Sequence, residues 1–129
     1  MKQLTDDQKQ VFRDLSKQYG LTKNDFHTHQ HYIIIKRIGI EKIQTKAEIS
    51  VRFESVVMER DFCVVKAIGK SKLQEMETFG SASKETCQNK YYPEMAEKRA
   101  LSRIVLKLTQ FYQLPDLIGE DETPIESKA

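Results

Sequence analysis

The chain has 129 residues, of which 39% are hydrophobic and 31% are charged, a composition typical of one soluble domain with a single core. No apolar run approaches the roughly 20 residues that cross a bilayer, and the first residues lack the apolar stretch of a secretory signal, so we expect a cytoplasmic protein with no membrane association. Cys63 and Cys87 lie in neither a CxxC nor a metal-ligand spacing, which indicates free thiols and excludes a disulfide-stapled miniprotein and a zinc module.

Charge is distributed unevenly along the chain. Residues 113–129 hold five carboxylates and one lysine, a net charge of −4, which leaves +6 on residues 1–112. A basic body with an acidic tail is typical of polyanion-binding domains, although lysines that only keep a small domain soluble give the same balance. We expect residues 1–112 to form one domain and residues 113–129 to be a disordered acidic tail.

The first predicted elements are a helix and a strand. Thr5 and the acidic residues behind it predict a capped helix over residues 6–19, which Gly20 ends in a left-handed conformation. Residues 32–35 are aromatic and β-branched, and they predict a strand buried on both faces or at a subunit contact. A single helical turn over residues 40–43 is expected to follow.

The next segments predict a β-meander. Residues 47–54 alternate between apolar and polar side chains, which is typical of an antiparallel strand with one solvent-exposed face. Residues 62–68 form a second β-rich run, and after a short turn residues 73–79 return as the next strand. With residues 32–35 these segments predict a meander of three to four strands that ends at Gly80.

The last predicted element is a long helix. Pro93 marks its first turn, and apolar residues at helical spacing continue to about residue 112. The predicted fold is therefore α+β, with an N-terminal helix, an antiparallel β-meander of three to four strands, and a long C-terminal helix packed on the sheet as a β-β-β-α core.

The long helix carries the most informative side chains. Arg99, Arg103 and Lys107 recur every four residues and predict a cationic ridge that faces away from the sheet. Fixed cations bind phosphates and flat rings stack on unpaired bases, so the ridge predicts a nucleic-acid site. The candidate DNA-binding residues are Lys98, Arg99, Arg103 and Lys107 on the helix, Lys90, Tyr91 and Tyr92 before it, and Lys66, Lys70 and Lys72 around the last β-turn. A solvated helix face and a pair of core or interface tyrosines fit the same pattern.

The sequence offers little for catalysis or for a cofactor. His27 and His31, with His29 between them, would share one face of a strand about 13 Å apart, too far for one metal ion. The sequence contains neither a glycine-rich phosphate loop nor a nucleophile motif. We therefore expect no enzymatic activity, no metal and no other cofactor.

The order of these features is similar to that of a known family. A meander sheet, the segment Phe79-Gly80-Ser81-Ala82-Ser83 and a helix with Ala96-Glu97-Lys98-Arg99-Ala100 resemble the single-strand annealing proteins, which are the eukaryotic-type radiation-sensitivity recombination mediators and their phage relatives. The resemblance covers about residues 30–112. It implies a β-β-β-α core whose basic helix lines a single-stranded DNA groove on an oligomeric ring.

The resemblance also implies a function. It predicts sequence-independent binding and annealing of single-stranded DNA in phage- or mobile-element-type recombination, by a homo-oligomer. The alternatives are a single-stranded DNA-binding protein without annealing activity, and a small adaptor or inhibitor that engages a protein partner through the acidic tail or the strand at residues 32–35. The acidic tail could also compete with DNA for the ridge. The nucleic-acid interpretation fails if Arg99 and Arg103 are locked to carboxylates or lie beneath another segment.

Overall fold

The computed structural model of the chain describes residues 4–87 and 90–122. Over these residues the chain forms three α-helices and six β-strands, with single turns of 3-10 helix between some of them. In chain order they are α1 (Asp6–Gln18), β1 (Phe26–His29), β2 (Tyr32–Ile35), α2 (Arg37–Lys46), β3 (Ser50–Met58), β4 (Phe62–Lys70), β5 (Glu75–Ser83), α3 (Tyr92–Lys107) and β6 (Leu117–Gly119).

The elements are arranged in layers with α3 in the middle. An antiparallel sheet of order β3-β4-β5 packs on one side of α3. A smaller sheet of order β1-β2-β6, together with α2, lies on its other side. The fold is α+β, and its N-terminal helix, antiparallel meander and long C-terminal helix on the sheet confirm the prediction.

The local signals at the N-terminus are confirmed. The Thr5 hydroxyl accepts a hydrogen bond from the Gln8 amide and the Gln8 side chain accepts one from the Thr5 amide, so a capping box starts α1. Gly20 follows the helix with a φ of 70°. Both cysteines are free and buried, as predicted.

The strand at residues 32–35 does not belong to the meander, which has three strands. This strand, β2, pairs antiparallel with β1 and parallel with β6, so that Ile33 faces Leu117 and Ile35 faces Gly119. Ile34 and Ile35 are completely buried, as expected for a strand covered on both faces. The partner strand β6 lies in a segment whose acidic composition predicted disorder.

That prediction is wrong for residues 113–122. Phe111 and Leu114 lie in the hydrophobic core and lead the chain back to β2, where β6 forms. A 3-10 turn, Glu120–Glu122, follows β6 directly. Residues 123–129, the rest of the predicted tail, lie outside the described residues.

Two helices differ in length from the prediction. α2 spans ten residues rather than one turn, because Gly39 lies inside the helix at a close contact instead of breaking it. A Cβ at Gly39 would lie 2.6 Å from Cγ2 of Ile35. α3 ends at Lys107 rather than near residue 112, and Gln110–Gln113 forms a separate 3-10 turn.

Gly80 does not end the sheet, since β5 continues to Ser83. Its role is close packing: a Cβ at Gly80 would lie 2.3 Å from both the Ala100 nitrogen and the Ala96 carbonyl oxygen. On the opposite side of α3, a Cβ at Gly119 would lie 2.4 Å from the Ser102 hydroxyl oxygen. Small residues on both sides therefore let α3 lie tightly between β5 and β6. None of the described helices has the length and apolar character needed to span a bilayer.

Replacing Gly80 by Ala should lower the free energy of unfolding by about 3 kcal/mol, because the new methyl group meets backbone atoms that cannot rotate away. Urea denaturation followed by circular dichroism measures this loss. Ser81→Ala, at the next position of β5, is the matched control and should change stability by less than about 0.5 kcal/mol. Equal stability of Gly80→Ala and the wild type would contradict the close packing of α3 on β5.

Candidate nucleic-acid interface

The predicted cationic ridge runs along the free edge of β5 rather than away from the sheet. Nη1 of Arg99 donates to the Ser81 carbonyl at 2.8 Å, and Nη1 of Arg103 donates to the Phe79 carbonyl at 2.7 Å. Four residues of α-helix and two residues of β-strand both rise by about 6 Å, so the arginines of α3 stay in register with every second carbonyl of β5. The arginines thus close carbonyl groups that an edge strand leaves open for pairing with another chain.

Arg99 is a buried structural residue. Its side chain is 7% exposed. Besides Ser81, its guanidinium donates to the Thr86 hydroxyl, the Thr86 carbonyl at 2.6 Å and the Asp121 carbonyl at 2.8 Å. The prediction that Arg99 lies on a solvent-facing ridge is wrong, because α3 is covered from two sides and the Glu120–Glu122 turn lies over this position.

Arg103 lies nearer the surface, but it is also engaged. Its Nε forms an ion pair and hydrogen bond with the Glu122 carboxylate, whose side chain is only 11% exposed. The condition under which the nucleic-acid interpretation of this ridge fails is therefore met: Arg99 is covered, and Arg103 is paired to a carboxylate. The parallel pairing of β6 with β2 is the physical cause, because it brings the end of the described chain beside α3.

The Glu120–Glu122 turn, which we call the acidic turn, places three consecutive carboxylates among cationic groups. Oε2 of Glu120 accepts a hydrogen bond from the Arg37 backbone amide at 3.2 Å, in the first turn of α2. Lys36, the N-cap residue of α2, makes no side-chain capping hydrogen bond, so Glu120 serves as the cap. The charges of Lys98 and Arg37 lie close enough to Asp121 to oppose the rise that burial causes in the pKa of its carboxyl.

Burial also raises the pKa of Glu122, against the lowering effect of Arg103. A raised carboxyl pKa means that the packed turn holds a proton more tightly than a released turn does. The ionised acidic turn therefore packs less strongly at neutral pH than its protonated form would.

The remaining lysines fall into two groups. Lys66 bonds Glu77 at 2.8 Å on the face of β4 opposite α3, and Lys72 bonds Glu48 at 2.6 Å, so carboxylates neutralise both. Of the candidate lysines, Lys70, Lys90, Lys98 and Lys107 have no ion pair to any residue in 4–87 or 90–122. Lys107 follows Arg103 by one helical turn on the same side of α3, whereas Lys98 lies on the side opposite Lys107. Lys66, Lys70 and Lys72 lie on β4 and the turn after it.

The two tyrosines before α3 have different environments. Tyr91 is 66% exposed. Tyr92 is half-buried and packs against the core, which agrees with the alternative that the tyrosines are core residues. Only Tyr91 is therefore accessible to a ligand.

Sequence reasoning missed an exposed aromatic ring at the ridge. The Phe79 side chain is 50% exposed on the outer face of β5, and the carbonyl of the same residue accepts the Arg103 hydrogen bond. The signal was available, because Glu75, Glu77 and Phe79 alternate along the strand and so share its solvent face. The contact of Arg37 with the acidic turn had no sequence signal, because the pairing of β2 with β6 is what brings the turn beside α2.

The histidines do not form a metal centre. Nε2 of His31 lies 3.5 Å from Oδ1 of Asp116, and His27 and His29 lie on β1. Among the described residues no group of three or more histidine, cysteine or acidic side chains is arranged to hold a metal ion.

Replacing Arg99 by Lys should lower the free energy of unfolding by about 3 kcal/mol, because an ammonium cannot reproduce the guanidinium fork and leaves buried carbonyls unpaired. Lys107→Ala on the same helix is the control, and it should stay within about 0.5 kcal/mol of the wild type. Thermal and urea denaturation measure both variants. If Arg99→Lys is as stable as Lys107→Ala, then Arg99 has no structural role.

Comparisons with known proteins identify no relative of this chain. No family model, no curated protein and no solved structure is significantly similar to the chain. Any function therefore has to be inferred from the residues of the chain and their arrangement.

Proposed function

We propose that the protein binds single-stranded DNA without sequence preference along the free edge of β5, and that it anneals complementary strands as a homo-oligomer. One observation carries the proposal: the half-exposed Phe79 ring lies on the outer face of the edge strand β5, and the carbonyl of the same residue binds Arg103. Sequence-independent sites for single strands combine a row of cations for the backbone with aromatic rings on which bases stack.

The chemistry of this edge favours an unpaired strand over a duplex. A ring on the surface of a sheet stacks on a base only when that base is not already stacked within a double helix. The cations recur about every 6 Å along α3, which is similar to the distance between neighbouring phosphates of an extended single strand. Sugar-phosphate contacts carry no sequence information, so the binding is sequence-independent.

The length of the edge supports an oligomer. From Arg103 to Lys107 the helix rises by about 6 Å, enough for about one nucleotide. Several subunits side by side, for example in a ring, would build a longer continuous site. Annealing then needs no bond chemistry: the subunits hold two strands by their backbones while duplex formation drives release. The resemblance of residues 30–112 to single-strand annealing proteins supports this part of the proposal.

A second candidate function is protein binding, as an adaptor or inhibitor. Three large apolar side chains are exposed around the β3–β4 hairpin: Val56 at a bulge, Met58 at the end of β3 and Phe62 at the start of β4. Met58, which pairs with buried Cys63, and Phe62 lie on opposite faces of the sheet, so both faces of this hairpin expose apolar side chains that a protein partner could cover. The adaptor function would use this hairpin and not the edge of β5.

Binding of a fluorescent oligothymidylate, measured by anisotropy at low salt, tests the proposed function. Phe79→Ala should weaken binding roughly tenfold, because it removes the ring on which one base stacks. Phe62→Ala is the matched control, since it removes another exposed ring, 39% exposed against 50% for Phe79, from the same sheet face and should leave affinity unchanged. Lys107→Ala should reduce the slope of log affinity against log salt by about one unit, whereas Lys9→Ala on α1 should not.

The outcomes separate the candidates. No binding at low salt, or equal loss from Phe79→Ala and Phe62→Ala, would contradict the β5 edge as a nucleic-acid site and favour the adaptor. Mixing dye-labelled complementary strands then tests annealing: acceleration above the spontaneous rate supports it, and retardation indicates strand coating alone.

A further inference from the structure

The acidic turn occupies the cationic groups that a single strand would use. Glu122 is bound to Arg103, the only arginine of the β5 edge that is partly exposed among the described residues. Glu120 covers the first turn of α2, and Asp121 lies near Lys98 and Arg37. The acidic turn therefore places one carboxylate on the Arg103 guanidinium and another at the first turn of α2, two positions where a phosphate oxygen could accept the same hydrogen bonds.

The strand before the turn is held by the fold. β6 pairs with β2, its Gly119 packs against Ser102, and the Asp116 carbonyl accepts a hydrogen bond from the Ile33 amide at 2.9 Å. The side-chain contacts of the turn are polar: Glu120, which is exposed, accepts from the Arg37 amide, and Glu122, whose side chain is 11% exposed, binds Arg103. A phosphate can compete for these donors, whereas it cannot replace the strand pairing of β6.

Displacement of the turn would also leave α3 in place. Arg99 loses one hydrogen bond, to Asp121, and keeps those to Ser81 and Thr86. Arg103 keeps its bond to the Phe79 carbonyl and gains a free Nε. Burial disfavours the ionised carboxylates of Asp121 and Glu122, so their return to water offsets part of the lost attraction.

We propose that the acidic turn is an autoinhibitory contact, which occupies the polyanion site at Arg103, Lys98 and the start of α2 until a single strand displaces it. The inference rests on the proposed function and names how that site is regulated. The turn lowers the affinity for single strands by direct competition, and it keeps short or weakly charged anions off the site.

The double variant E120A/E122A, made in the full chain, tests the competition. It should bind the fluorescent oligothymidylate about tenfold more tightly than the wild type. Its salt slope should be steeper by about one unit, because Arg103 gains a phosphate. The control D14A/E59A removes the same number of charges from exposed positions on α1 and in the β3–β4 turn, and it should bind within about threefold of the wild type by long-range attraction alone.

Hydrogen exchange of the wild-type chain, measured by NMR, gives a second readout that does not depend on the folding of a variant. A saturating oligonucleotide should speed the exchange of the Glu120–Glu122 amides and leave β6 unchanged. If the wild type binds but E120A/E122A matches the control, or exchange in the turn does not rise, the inhibitory role is overturned and the binding function stands. If neither the wild type nor E120A/E122A binds at low salt, the proposed function and the inhibition fall together.

Discussion

The buried guanidinium of Arg99 fixes the arrangement on which the rest of this surface depends. It joins three segments that are distant in sequence, because it donates to carbonyls of β5, of the loop after β5 and of the acidic turn. A buried cation is tolerated only when its donors are satisfied, and a planar group with five N–H donors can serve several carbonyls at once. The close approach of α3 at Gly80 brings this group within reach. Arg103 then lies one helical turn further along the same edge, where Glu122 meets it.

Side chains of the same charge and spacing therefore have different roles along one helix. Arg99 belongs to the interior, Arg103 is shared between the β5 edge and the acidic turn, and Lys107 extends into solvent. This gradient follows from the fold, since the acidic turn begins where β6 ends and covers only the first part of the row. An edge strand with open carbonyls invites pairing with another chain, and the two arginines prevent it at Ser81 and Phe79. In the proposed site, the structural and ligand-binding uses of cations thus overlap at one residue, Arg103.

The elements that sequence reasoning predicted correctly are those whose signals are local. The capping box at Thr5, the alternating strand β3 and the buried character of β2 each depend on neighbours in the chain. The pairing of β2 with β6 joins residues more than eighty positions apart, and three residues are too few to give a periodic signal. Without that pairing, α3 would have only one covered side, and its arginines would face solvent. The small residues on α3, Ala96 and Ala100 against β5 and Ser102 against β6, were the available sign of a helix packed on two sides.

Under the proposed autoinhibition, an acidic turn tethered beside the proposed site selects ligands by the number of their linked charges. A short tether gives the turn an effective concentration on the order of millimolar, so a lone phosphate, which can replace one carboxylate at a time, does not compete. A single strand presents several phosphates in a row, and each phosphate that binds a cation releases counterions from the strand. The strand can therefore take Arg103 and Lys98 together while the turn leaves as one piece. Selectivity for polyanions over small anions then arises from the number of linked charges, with no contact to any base.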